Sequence, residues 1–300
     1  MANSYHNPVM LAECMEMLDV NPEGIFVDLT FGGGGHTSEM LRRGARHVYA
    51  FDQDADAEKN AENIKQENLT FVRSNFRYLT NWLHYYGVTH VDGILADLGV
   101  SSHQFDDLSR GFSFRGDAPV DMRMNQRQPK SANDILNLYT EEKLADTFYL
   151  YGELKQARRI ASAIVKARTP DKVWTTGELS DIVNPYIGRD REKKDLARLF
   201  QALRIEVNGE MDALREMLCQ TVDLLSPGGR LVVMTYHSLE DRMVKNFMRS
   251  GNIEGHIEKD FYGNVVGAPG IASKTVTASA EEIDSNPRSR SAKLRQLIVK

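Results

Sequence analysis

Short apolar runs alternate with amphipathic helical patterns over the first hundred residues. Four of these runs are typical of buried strands, and they end near Asp28, Asp52, Arg73 and Asp97. Asn7 and Pro8 have the residue types of a helix cap and a first helical position, and they predict a helix there. Strands that alternate with helices predict a parallel sheet covered by helices on both faces.

The pattern changes in the middle of the chain and then returns. No sustained period runs from 101 to 130, and helical spacing dominates from 131 to about 207, where Asn208 is predicted to cap the next helix. A turn at 225–229 then precedes a strand at 231–236, and Ser238 begins a helix with Asp241 at capping-box spacing. We therefore predict one discontinuous α/β domain, 1–108 with 209–300, interrupted by a helical domain, 109–208.

A glycine turn follows the first predicted strand. Gly32 to Gly35 separate Asp28 from a helical pattern, which is typical of a turn where backbone approaches a nucleotide-like ligand. Asp52 ends the next strand and could accept hydrogen bonds from ribose hydroxyls. These features fit NAD and S-adenosylmethionine equally well, and helix-capping or turn roles are the alternative for both acids. The missing Gly-Lys-Ser/Thr excludes a P-loop.

Three cationic stretches raise the question of nucleic acid. The most basic is the tail from Asn286 to Lys300, which either contacts RNA or has its Lys and Arg to protect an edge strand. Arginines alternate with phenylalanines in 110–115, which suits base stacking and phosphate pairing, or a surface loop held by two buried rings. Lys155, Arg158, Arg159 and Lys166 fall on one side of a predicted helix, where the usual outcome is a solvated face and the alternative is RNA contact.

Composition narrows the classes of protein. The 300 residues carry a formal net charge of -5, so any nucleic-acid site must be a local patch. Cys14 and Cys219 are isolated and the histidines lack metal-site spacing, so neither a disulfide framework nor a metal site is expected. Without a signal-peptide core or a membrane-length apolar run, a soluble, cytoplasmic protein with no membrane partner is expected.

The motifs together resemble one family nearly from end to end, the bacterial small-subunit ribosomal RNA methyltransferases of the MraW or RsmH type. The blocks that carry the resemblance are 6–9, 28–36, 97–102, 110–115, 121–124, 200–205, 237–242 and 286–295. The resemblance implies a Rossmann-like S-adenosylmethionine-dependent methyltransferase sheet with an inserted helical substrate-recognition domain. It also implies that the cofactor is held by Gly34, Gly35, His36, Asp52, Phe76, Asp97 and Gln104.

The family resemblance further implies the substrate, the N4 amine of a cytidine in the decoding region of 16S ribosomal RNA, within an assembled small subunit. Oligomeric state is left open, with a homodimer as one option. Asp97 and His237 are the candidates for the catalytic proton acceptor, against cofactor binding alone for Asp97 and core packing for His237. The Pro-Pro pair usual in cytidine-N4 DNA enzymes is absent after Asp97.

Three positions depart from the family pattern. Leu154 replaces a common Glu, 195–198 replaces a Pro-Ala-Thr-Arg run, and His103 stands where Pro is common. Two other functions remain open at this stage. An NAD-linked oxidoreductase would use the same turn and Asp52, and a ribosome-assembly factor would bind RNA without reacting.

Overall fold

The computed structural model describes residues 8–188, 191–263 and 265–300, without the side chain of Ser102. The chain divides into two compact units, unit 1 (Met1–Gly99 with Met211–Lys300) and unit 2 (Val100–Glu210). The first division therefore falls before the predicted boundary at 108/109. Val100 packs against the core of unit 2, which accounts for the earlier division.

The helices and strands alternate along unit 1 and give way to helices in unit 2. In chain order the helices are α1 (Leu11–Leu18), α2 (Gly35–Arg42), α3 (Ala55–Ala61), α4 (Leu79–Tyr85), α5 (Ser102–Asp106), α6 (Ala132–Leu138), α7 (Glu141–Leu150), α8 (Ala157–Lys166), α9 (Thr176–Val183), α10 (Glu192–Asn208), α11 (Glu210–Leu224), α12 (Ser238–Ser250) and α13 (Ala280–Ser285). The strands are β1 (Ile25–Asp28), β2 (His47–Asp52), β3 (Leu69–Arg73), β4 (Val91–Asp97), β5 (Leu225–Thr235), β6 (Glu258–Lys259), β7 (Val265–Val266), β8 (Gly270–Ala272), β9 (Val276–Thr277) and β10 (Lys293–Val299).

The main sheet of unit 1 has the strand order β3-β2-β1-β4-β5-β10-β8, and β9 also pairs with β10. The first five strands are parallel, whereas β10 runs antiparallel to β5. The predicted α/β class and Rossmann-like sheet are thereby confirmed. Strand order reverses between β1 and β4, and ligands of such sheets bind beyond the carboxyl ends of the strands at this point.

Side-chain alternation along the strands builds a core on each face of the sheet. Phe26 and Leu95 point to the face covered by α1, whereas Val27 and Ile94 point to the face covered by α11 and α12. All four side chains are fully buried. A strand apolar at both alternating positions is buried on both sides, and this explains the continuous apolar runs of the sequence.

Unit 2 has its own apolar core, which includes the fully buried Trp174 and Phe148. In its described residues, β pairing is limited to a single bridge between Pro119 and Thr175. No helix in the described ranges has the length and apolarity needed to cross a membrane.

Several predicted local features are wrong. α1 begins at Leu11, after Met10 in a left-handed conformation, so Pro8 is not its first residue, and Asn7 lies outside the described residues. Asn208 ends α10, and its side chain bonds the backbone of Met122 and Met124 instead of capping α11. β5 begins six residues before the predicted Leu231, because 225–229 joins the strand through a register shift.

Candidate active site

The turn between β1 and α2 requires glycine. The N–H of Gly34 donates to the carbonyl of Phe31 at 2.7 Å, and Gly34 has φ +78° at the N-cap of α2. A Cβ added there would lie 2.7 Å from the Phe31 ring and 2.9 Å from Ile64 Cδ1. Both the conformation and the crowding exclude a side chain, so the bare backbone is what a ligand at this turn would meet.

The carboxylate of Asp28 stabilises this turn by accepting two hydrogen bonds. It is fully buried, accepts a hydrogen bond from Thr37 Oγ1 at 2.7 Å, and accepts another from the N–H of Thr30 at 3.1 Å. Burial raises the pKa of its carboxyl, and these hydrogen bonds oppose that effect. Asp28 therefore ties β1 to α2.

Asp52 lies at the carboxyl end of β2, beside the glycine turn. Its Oδ2 accepts the N–H of Gly32 at 2.8 Å, and its Oδ1 accepts the N–H of Asp54 at 2.9 Å. Burial raises the pKa of this carboxyl to about 6. Because a carboxylate oxygen can accept more than one hydrogen bond, both oxygens retain capacity for the two hydroxyls of a ribose.

His36 and Gly35 occupy the first turn of α2. The His36 ring is 6% exposed, and its Nε2 lies 3.2 Å from the carbonyl oxygen of Val9. A Cβ at Gly35 would lie 2.9 Å from the Pro8 ring, so the segment before α1 packs directly on this backbone. Residues 8 and 9 thus form part of the same site.

Asp97 connects three strands at the point where strand order reverses. Its N–H donates to Thr30 Oγ1 at 2.7 Å, and its Oδ1 accepts the phenolic O–H of Tyr236 at 2.7 Å. Burial raises the pKa of Asp97 to about 6, against the lowering effect of His36 and of the Tyr236 hydrogen bond. A carboxylate with this pKa is mostly ionised at neutral pH and can still take up a proton.

Tyr236 is a site residue that sequence reasoning missed. Asp97 pairs in register with Met234, so Tyr236, two residues further along, projects toward the same side. The sequence signal that could have identified Tyr236 is its position one residue beyond the end of β5, directly before the predicted site residue His237. That signal could be used only once β5 was known to lie beside β4.

His237 is the N-cap of α12. Its Nδ1 accepts the N–H of Glu240, and the Glu240 carboxylate accepts the N–H groups of Tyr236 and His237. Nε2 lies 3.0 Å from Glu240 Oε1 but is not aligned for a hydrogen bond. The predicted capping box at Ser238 and Asp241 is therefore wrong by one residue, and the contacts favour the packed alternative for His237.

Phe76 lies three residues beyond β3, in a 3-10 turn, and is partly buried. Asn75 caps that turn, and its Nδ2 donates to Gln53 Oε1 at 3.0 Å, next to Asp52. Because β2 and β3 are neighbours, Phe76 and Asp52 belong to the same edge of the sheet. This edge offers an aromatic ring and a carboxylate at adjacent strand ends.

Gln104 belongs to unit 2, whereas the other predicted cofactor residues belong to unit 1. It is the third residue of α5, where its Oε1 accepts the N–H of Ser101 and its own N–H donates to Ser101 Oγ. Gln104 is buried, and these two bonds form a capping box with Ser101. Gly34, Gly35, His36, Asp52, Phe76 and Asp97 belong to the carboxyl edge of the sheet in unit 1.

Comparisons with known proteins point in one direction. A model of the MraW methylase family matches residues 3–299. A protein of Phocaeicola vulgatus named ribosomal RNA small subunit methyltransferase H is 59% identical over 294 residues, covering 97% of this chain and 96% of that protein. Proteins of the same name from Parabacteroides distasonis and Porphyromonas gingivalis are 59% and 53% identical, with the same coverage.

The family expected from the sequence motifs is thus confirmed, and with it the expectation of a methyltransferase. The match runs through both units, so it covers the glycine turn and the helical insert alike. The chain belongs to the MraW methylase family.

Proposed function

We propose that this enzyme transfers a methyl group from S-adenosylmethionine to the N4 amine of a cytidine in the decoding region of 16S ribosomal RNA. The observation that carries the proposal is the edge of unit 1 where the glycine turn, Asp52 and Asp97 meet at the strand reversal. The relatives' name, ribosomal RNA small subunit methyltransferase H, supports the class of substrate.

The residues of this edge suit each part of the cofactor. Asp52 retains acceptor capacity for the ribose diol, and the Phe76 ring can pack against adenine. The backbone of Gly34 and Gly35 can approach the methionine end closely, because no side chain intervenes. His36 adds a polar group to the same helix terminus. The departures from the family pattern lie outside these positions.

When bound, S-adenosylmethionine would supply a sulfonium methyl group as the electrophile, and its transfer to nitrogen would leave a neutral thioether. The amine of cytosine is a weak nucleophile because its lone pair is shared with the ring. An acceptor beside it favours the reactive form and takes up the proton released after transfer. We assign that role to Asp97, whose pKa of about 6 leaves it ionised at neutral pH. A cofactor-binding role alone is the alternative.

We further propose that the RNA is recognised within an assembled small subunit in the cytoplasm, with the helical insert in contact with it and the target base flipped out or in a loop. Gln104, in unit 2, stays a candidate for cofactor contact. A measurement of its mass in solution would show whether the enzyme is a homodimer.

Methyl transfer from labelled S-adenosylmethionine tests the proposal. Unmodified small subunits, naked ribosomal RNA and DNA are compared as substrates, and the modified nucleoside is identified. We expect N4-methylcytidine on subunits. Subunit binding without transfer would favour an assembly factor, and NAD binding without S-adenosylmethionine binding would favour an oxidoreductase.

A further inference from the structure

Arg110 and Arg123, two of the three arginines of the loop at 110–123 in unit 2, are engaged internally, whereas Arg115 is exposed. Arg110 is 4% exposed and donates to the carbonyl oxygens of Arg123 and Met124. Arg123 pairs with Asp121 at 2.7 Å and donates to the carbonyl oxygen of Gln128. These guanidinium groups hold the loop in shape and are not presented as phosphate ligands.

The phenylalanines of the loop are engaged as well. Phe112 is buried, and the Phe114 ring packs edge-on against Phe200 with 5.7 Å between centroids. The structure thus favours the pinned surface loop over a stacking platform. With one exposed arginine, the loop offers little charge to a polyanion, and a larger cationic surface of unit 2 lies elsewhere.

Helix α8 presents such a surface. Its inner side is buried, and Arg158, Arg159 and Lys166 are exposed on the opposite side, preceded by the exposed Lys155. On a helix of 3.6 residues per turn the three helical cations fall within an arc of about 100° and span about 12 Å. Throughout the described parts of the chain, none of these four side chains has an ion-pair partner.

The charge on this face has a single sign. From 154 to 170 the sequence holds five basic residues and no acid, although the whole chain has 42 acids and a net charge of -5. The fifth cation, Arg168, is internal, because it donates to the carbonyl oxygens of Leu136 and Tyr139. Solvated helix faces usually mix both signs, and an exposed face of one sign is an electrostatic footprint for the opposite charge.

We propose that the α8 cationic face, formed by Lys155, Arg158, Arg159 and Lys166, binds the phosphate backbone of the small-subunit RNA. This inference rests on the proposed function, and it identifies the docking surface within the insert. Contacts of this kind set affinity and register without reading sequence. They also make binding dependent on salt, because neutralised phosphates release counterions.

The test is the double variant Arg158→Gln/Arg159→Gln, assayed for binding to unmodified small subunits over a range of salt concentrations. We expect affinity to fall about tenfold near physiological salt and the logarithmic salt slope to decrease by about 2, one for each cation. Arg158→Lys/Arg159→Lys keeps the charge and should stay near the wild-type affinity. S-adenosylmethionine affinity should be unchanged in all variants.

Lys193→Gln/Lys194→Gln is the matched control. It removes the same charge from exposed positions of unit 2, but Glu192 and Asp195 flank that pair on α10. An equal loss in the control, or an unchanged salt slope in the α8 variant, would overturn the proposal. Wild-type enzyme that binds subunits but does not methylate them would refute the proposed function instead, so the two failures are separable.

Discussion

Removing the Tyr236 hydroxyl tests whether its hydrogen bond lowers the pKa of Asp97. Tyr236→Phe deletes one hydrogen bond of 2.7 Å to the ionised form of the carboxylate. A hydrogen bond to a charged group contributes about 1.5–3 kcal/mol, and partial exposure of Asp97 favours the lower end. Since one pKa unit corresponds to about 1.36 kcal/mol, the pKa of Asp97 should rise from about 6 to between about 7 and 8.

The consequence is a displaced pH profile. At pH 7 the ionised fraction of Asp97 should fall from about nine tenths to between about half and one tenth, so kcat/KM should fall roughly two- to tenfold. Activity should recover near pH 9, where Asp97 is again ionised. The groups around it, His36, Asp28, Glu240 and Cys14, are unchanged in the variant.

Methyl transfer to small subunits, measured from pH 5.5 to 9, provides the assay. Tyr139→Phe is the control, because Tyr139 donates a similar hydrogen bond to Glu206 at 2.5 Å within unit 2. It should leave the acidic limb in place. A Tyr236→Phe enzyme that is slower at every pH, with no displacement of that limb, would refute the assignment of Asp97 as proton acceptor.

Three further predictions follow from the same edge of the sheet. Asp52→Ala should weaken S-adenosylmethionine binding at least about tenfold by calorimetry with the circular dichroism spectrum retained, and unchanged affinity would reject Asp52 as a ribose ligand. Gly34→Ala should destabilise the protein by about 2 kcal/mol or more, because the new Cβ is both strained and crowded. The control Gly87→Ala has a similar φ of +75° but no atom within 4 Å of its Cβ, so it should cost only about 1 kcal/mol of backbone strain. Equal losses of Tm in the two variants would contradict the crowding at Gly34. Because Asp52 and Asp97 have pKa values of about 6 when folded and about 3.9 when unfolded, the folded state binds more protons between these values, and stability without cofactor should decrease as pH rises from about 4 to 6. In denaturant titrations, the Asp97→Asn variant should lose less stability between about pH 4 and 6 than the wild type. An identical pH dependence would argue against a raised pKa of Asp97.

Much of the fold was predicted from the periodicity of the apolar residues. The apolar runs at β1 to β4 and the loss of their pattern after Gly99 placed the α/β elements and the helical insert along the chain. Strand order could not be obtained this way, because it depends on crossovers and on the antiparallel β10 between β5 and β8. The start of β5 was missed because Pro227 and Gly228 have the residue types of a turn, whereas the strand incorporates them at a register shift.

The candidate site was predicted only where its chemistry is local. The glycine turn and Asp52 are marked by neighbours in sequence, so their common edge followed from the strand pattern alone. Tyr236 and Asp97 are 139 positions apart and meet only because β4 and β5 pair. For 110–115 the sequence left two interpretations open, because spacing alone does not reveal that backbone carbonyl groups accept the hydrogen bonds of Arg110.

The place of β10 determines when unit 1 can be completed during synthesis. β1 to β4 are made within the first hundred residues, but β5 can pair with β4 only after the insert has been made, and β10 can pair with β5 only later still. At about 5–20 residues per second, the roughly 140 residues between the end of β4 and the end of β5 take about 7–28 s to make, and during that interval the edge of β4 lacks its partner β5. Unit 2 is contiguous and can fold during that interval. A nascent chain of this kind therefore exposes an open strand edge for seconds, and unpaired strand edges pair readily with other chains.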